Sequence, residues 1–122
     1  MQTLQTKTDT IEKTLNHHLQ AFVENDIEEM MKDYTEQSEV WTSEGAIVGL
    51  EAISSFFSYV FTLLPQESIQ LDIKQNIVKE DRAYIVWSAD SSVISIPTGT
   101  DSFEIRDGKI LWQSTAAQIV QK

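Results

Sequence analysis

Cysteine is absent from this 122-residue chain. Without a thiol there is no disulfide framework, thiolate zinc site, iron–sulfur cluster or cysteine nucleophile. Glycine (four) and proline (two) are scarce, so little composition is left for a flexible linker. Basic residues are few: nine against 19 acidic, a formal net charge of −10. Nucleic-acid binding needs clustered Lys and Arg, and an anionic membrane surface repels such a chain. Neither partner is expected. Long hydrophobic runs are also missing. The longest, Phe56 to Leu64, is broken by Ser58 and Thr62 and is too short to span a bilayer. The N-terminal MQTLQTKTDT lacks the apolar core of a secretion signal, so a cytoplasmic address is the expectation.

What remains is a globular composition, 41% hydrophobic and 23% charged, which fits a folded chain rather than a disordered one. The length suits one domain over 1–122, with residues 1–8 as a flexible tail. Residues 9–24 carry a helical stripe of Ile11, Leu15, His18, Leu19 and Phe22. Asp9 and Glu12 resemble its start signal. Asn25 breaks the pattern. Asp26 and Glu29 repeat the signal before a short helix carrying Ile27, Met30, Met31 and Tyr34. A third helix, Leu50–Leu64, ends at Pro65. Short strands are expected at Glu39–Thr42 and Ala46–Val48.

The period then changes to two. Ile69–Ile77 alternates as a half-buried strand. In Arg82–Ser92, Tyr84 and Val86 share one face, and Ile85 and Trp87 the other. Thr98–Arg106 and Lys109–Gln118 flank Asp107-Gly108, a hairpin signal. Helices ahead of strands predict an α+β fold. Three N-terminal helices pack on a strongly curved antiparallel sheet, forming a cone with an internal pocket.

Three segments resemble the nuclear transport factor 2-like superfamily, in its SnoaL-like (polyketide-cyclase-like) and ketosteroid-isomerase-like branches. Glu24-Asn25-Asp26 through Tyr34 is similar to its helix–break–helix. Gly49-Leu50-Glu51-Ala52-Ile53 through Phe57 is similar to the start of its third helix. Gly99 through Ile110 is similar to its last hairpin. The resemblance covers about residues 9–119 and implies the cystatin-like α+β barrel. It also implies a homodimer through the outer sheet face, where Trp112 is expected.

Asp101 shares a strand face with Phe103 and Ile105. A carboxyl on an apolar face has a raised pKa unless it is paired. By the resemblance, Asp101 and His18 fall where ketosteroid isomerases place the two hydrogen-bond donors to an oxyanion, one of them an Asp kept protonated by its apolar site. Both are the candidate catalytic residues. The isomerase base maps onto Thr42, and a threonine is no base near neutral pH. Glu44, in the following turn, is the alternative. Phe57 matches an aromatic position of the isomerase cavity, and Trp41 and Trp87 are further candidate walls. Gln113 depends on the hairpin. A three-residue loop, Arg106-Asp107-Gly108, sets Asp101 opposite Gln113, whereas a two-residue loop sets it opposite Ser114. The resemblance favours the first. Thr42, Phe57, Gln113, Trp41 and Trp87 are thus the expected substrate-binding residues.

No phosphate loop, nucleophile elbow or metal-ligand spacing occurs, so neither cofactor nor metal is expected. The expected partner is a small apolar or enolisable metabolite. The expected function is binding it in the cone, with cofactor-free isomerase, cyclase or hydratase chemistry. The alternative is a non-catalytic ligand-binding or homodimerisation module.

Overall fold

The structure is a computed structural model that describes residues 4–122, with side chains from residue 7 onward. Helix α1 (Leu4–Val23) is followed by α2 (Ile27–Met31), strands β1 (Glu39–Thr42) and β2 (Gly45–Val48), and α3 (Leu50–Leu63). Strands β3 (Gln70–Lys79), β4 (Arg82–Asp90), β5 (Ile94–Arg106) and β6 (Lys109–Gln121) complete the chain. Residues 4–8, expected as a tail, are helical, so Asp9 and Glu12 lie inside α1 rather than capping it. Residues 1–3 lie outside the described residues. Asp26 does cap α2: its carboxylate accepts from the Glu29 N–H at 3.1 Å, as the sequence pattern predicts.

The six strands form one sheet in the order β2-β1-β6-β5-β4-β3. Strands β6, β5, β4 and β3 are antiparallel neighbours, as are β1 and β2. However, β1 runs parallel to β6. The sheet is therefore mixed, which corrects the all-antiparallel expectation. A hairpin of two short strands can join the sheet in either sense, and alternation does not report which. The sheet is unclosed, with β2 and β3 at its edges.

Register shifts interrupt β3–β4, β4–β5 and β5–β6. Each adds a local bend and extra twist, and together they curl the sheet around the helices. The main core gathers Ile11, Leu15 and Ala21 of α1, Met30 of α2, Ile53 and Phe57 of α3, and Ile85, Phe103 and Ile105 of the sheet. A second cluster, Leu64, Ala89, Ile94 and Ile96, closes the far end of α3. Asn25, at φ 54°, ties the helices together: its side chain donates to the Phe22 and Leu64 carbonyls and accepts from the Gln66 N–H.

The Asp107-Gly108 turn has both residues in the left-handed region, φ 52° and 74°, and Arg106 pairs with Lys109. That is the two-residue primed turn, not the favoured three-residue loop. Yet Asp101 does not pair with Ser114. A shift after Ile105↔Ile110 makes Glu104 pair with Trp112, so Phe103 faces Gln113 and Asp101 faces Thr115. The extra residue, Leu111, returns Gln113 to the face of Asp101.

Candidate functional site

Between the helices and the concave sheet face lies a cavity of ≈390 Å³, within the size range of small-molecule sites. His18, Thr42, Phe57, Trp87, Asp101 and Gln113 all line it. Trp41 does not. Strand alternation turns neighbours to opposite faces: Val40 is fully buried, Thr42 reaches the cavity, and Trp41 stands outside, 49% exposed. Its ring packs edge-to-face on Trp112 at 5.4 Å. The expectation of Trp41 as a cavity wall is corrected on that ground. Thr42 sits at the rim with its hydroxyl engaged in the β1–β2 turn, donating to the Gly45 carbonyl and accepting from the Glu44 N–H. Glu44 lines the same rim and is exposed.

Asp101 is central to β5, because that strand starts at Ile94, and it is only 7% exposed. Three donors converge on it. The Trp87 indole N–H and the Thr115 hydroxyl each donate to Oδ1 at 2.9 Å. The Gln113 amide donates to Oδ2 at 2.7 Å. Gly99 makes the first of these contacts possible. It pairs directly with Trp87, and a Cβ there would lie 2.4 Å from the indole ring. The ring lies against the bare backbone, which aims its N–H two residues along β5.

Burial pushes the Asp101 carboxyl up to about 6, against the pull of the three donors. At pH 7 the ionised form leads by ~10:1. In this geometry the carboxylate accepts on both oxygens, where the isomerase resemblance implies a protonated donor.

The chain of contacts continues past Gln113. Tyr34, expected on the short helix, lies just past the end of α2 and is buried; it donates its hydroxyl to Gln113 Oε1 at 2.5 Å. The same hydroxyl meets His18 Nδ1 in a longer contact of 3.4 Å. Burial, then the Asp101 and Asp33 charges, hold the Tyr34 phenol well above its usual range, so it stays protonated. His18 sits in an aromatic box, edge-on to Tyr34, Phe57 and Phe103 at 5.6–6.1 Å. Burial, helped by the neighbouring His17, pushes its pKa down to about 4, so its ring is neutral at pH 7. The sequence pattern marks Tyr34 only as a helix-stripe residue. The signal for more is its place on an apolar face, since a buried Tyr hydroxyl needs a partner.

His17 lies off the cavity. It meets Asp33 at 2.7 Å and Glu29 at 3.0 Å, clamping α1 to α2. Among the described residues, no group of three or more His, Asp or Glu side chains is arranged to hold a metal ion. No described helix is long and apolar enough to cross a membrane.

Helices over a curled sheet, with one polar row inside an apolar cavity, define a small cone-fold domain with an internal site. A SnoaL-like domain model matches residues 15–112, and the chain belongs to that family. Solved structures agree at the level of fold. A protein assigned as a SnoaL-like polyketide cyclase from Jannaschia sp. CCS1 superposes with TM-score 0.81 at 12% identity, covering 97% of this chain and 92% of that one. An NTF2-like protein of unknown function from Burkholderia xenovorans LB400 gives 0.76 at 15% identity, covering 92% and 85%. TerC, co-crystallised with polyporic acid, gives 0.74 at 18% identity, covering 89% and 92%. A search of curated protein sequences finds no match.

Proposed function

We propose that the chain holds a small, largely apolar, uncharged molecule in the cone and works on it by cofactor-free acid–base chemistry. Isomerisation, cyclisation and hydration are the reaction types this chemistry serves. The observation that carries the reading is a buried carboxylate on the sheet wall and a buried neutral imidazole on the helix wall of one mainly apolar cavity. Buried titratable pairs of this kind are where acid–base work is done. The ligand's charge class follows from the lining. Among the described lining residues there is no Lys or Arg, while Asp101 and Glu44 are acidic. An anionic ligand meets like charge there and finds no counter-ion. That a similar fold was crystallised with polyporic acid supports an organic occupant.

2-Tetralone, an uncharged cyclic ketone with acidic α-protons, is the first probe. It is expected to raise the melting temperature with concentration, by about 2.7 kcal/mol of stability at 100 times Kd. In D2O its α-protons are expected to exchange faster with protein than without, and Asp101→Asn is expected to abolish the excess. Stabilisation without exchange would favour the non-catalytic binding module. If no member of a panel of uncharged ketones and enones stabilises the protein, the ligand reading fails.

A second copy of the chain is proposed to cover the outer sheet face. There Trp41, Tyr84 and Ile77 are exposed, and Trp41 packs on Trp112. Self-complementary apolar faces of this kind form two-fold dimers. Light scattering is expected to give twice the 13.9 kDa chain mass. A monomer sinks the interface.

A further inference from the structure

We infer that Asp101, Gln113 and Tyr34 form a polarised hydrogen-bond chain that sets the tautomer of His18 and leaves its Nε2 bare, as the proton acceptor for the ligand. The acceptor role rests on the acid–base reading above; the hydrogen-bond chain itself does not.

The polarity follows link by link. A carboxylate can only accept, so Gln113 must turn its NH₂ to Asp101 Oδ2. Its Oε1 then faces Tyr34 and needs a donor, which fixes the phenolic proton on that side. The Tyr34 oxygen has only lone pairs left for His18, so Nδ1 must carry the hydrogen. A neutral imidazole has one N–H. The proton is therefore absent from Nε2. Among the described residues Nε2 has no protein partner, yet no fully buried side-chain nitrogen or oxygen is unpartnered. Nε2 thus keeps open contact, and His18 opens onto the cavity.

This supplies a base where Thr42 cannot. In the step it serves, the α-C–H bond of a bound ketone breaks and its proton goes to Nε2. The bond electrons form the enolate C=C, and the carbonyl π pair moves to oxygen. The imidazolium keeps its Nδ1–H on Tyr34, at the far end of a chain that terminates in the Asp101 carboxylate.

Asp101→Asn tests the chain because it reverses every link. If the Asn oxygen keeps Trp87 and Thr115, its NH₂ faces Gln113. Gln113 must then present Oε1, its NH₂ turns to Tyr34, and Tyr34 donates to Nδ1. Long-range proton–nitrogen NMR on ¹⁵N-histidine protein reads the tautomer directly. Expected is Nδ1–H in the wild type and Nε2–H in Asp101→Asn. Nε2–H in the wild type, or one tautomer in both proteins, overturns the proposal. If the Asn variant does not fold, Tyr34→Phe takes its place. It removes the partner of Nδ1 and is expected to give mixed tautomers, whereas pure Nδ1–H would overturn the relay. The 2-tetralone assay keeps the two readings apart. Tautomers as expected without exchange uphold the chain and sink the catalytic function. Undiminished exchange in Asp101→Asn with the tautomer reversed removes Nε2 from the proton path.

Discussion

Asp101 and His18 titrate against each other, and replacing one exposes the other. Burial lowers the His18 pKa from 6.5 to about 4. Below pH 6.5 the unfolded chain takes up a proton that the fold refuses, so stability falls as pH drops from 6.5 towards 4. The full loss is about 3 kcal/mol, at about 1.4 kcal/mol per pH unit. Asp101 has the opposite sign. Its folded pKa is raised from 3.8 to about 6, so the fold takes up the proton first, and stability rises as pH drops from 6 towards 3.8. That gain is also about 3 kcal/mol. In the wild type the two nearly cancel across pH 6.5–4. Asp101→Asn removes the gain and leaves the loss. Between pH 7 and pH 4.5 it is expected to lose about 2 kcal/mol more than wild type does. His18→Gln is expected to move the other way by a similar amount. Urea unfolding followed by fluorescence at half-unit pH steps measures this, and each variant is compared with wild type so that surface carboxylates drop out. Superimposable pH profiles for wild type and Asp101→Asn would refute the burial argument for Asp101, and superimposable profiles for wild type and His18→Gln would refute it for His18.

Gly99→Ala is expected to destabilise by about 2 kcal/mol, because its methyl group and the Trp87 ring cannot share the space. Trp87 must leave Asp101, so tryptophan emission shifts as well; unchanged emission would show that the ring does not depend on the bare backbone. At the α1–α2 clamp, the hydrogen bonds that His17 donates to the Asp33 and Glu29 carboxylates hold its pKa above 6.5. The clamp's contribution is complete below pH 6.5 and fades as pH rises through the raised value. By NMR titration, Asp33→Asn is expected to bring the His17 pKa down towards 6.5, and no movement would mean that the contact is absent in solution. Burial outweighs this pairing at Asp33 itself, whose carboxyl is held above its usual range.

Much of the architecture is legible in the sequence because the two halves of the chain use different periods. The stripe through Ile11, Leu15 and His18 marks a helix face that is buried in the fold. The alternation of Ile85 with Tyr84 separates an inside from an outside in the same way. Helix ends are less legible. Asp9 and Glu12 look like a cap, but Leu4–Thr8 continue the helix, and polar residues without Gly or Pro do not forbid that. Trp41 shows an error that local geometry alone prevents. Trp41 and Thr42 are adjacent in one strand, so they cannot both face the cavity. Tyr34 shows the reverse case, a residue whose part depends on partners 16 and 79 positions away in sequence. Helical periodicity places it inside but names neither partner.

Gln113 turns on a single residue of phase. Ile110 and Gln113 are both buried, yet they are three apart, which strict alternation puts on opposite faces. Both can face inward only if the strand carries one extra residue between them, and Leu111 is that residue. The turn sequence does not reveal it, since Asp107-Gly108 closes a regular two-residue hairpin. The cause lies in another part of the chain. The Ile110 N–H donates to the Asp33 carbonyl, and the Ile110 carbonyl accepts from the Ser38 hydroxyl at 2.6 Å. The segment between α2 and β1 therefore draws the start of β6 away from regular pairing. Beyond that point β1 pairs in parallel with β6, setting Val40 beside Gln113. The contact that offsets the hairpin is thus made by the segment that follows α2 and includes Tyr34. The same stretch of chain supplies both the bulge that turns Gln113 inward and the hydroxyl it meets there.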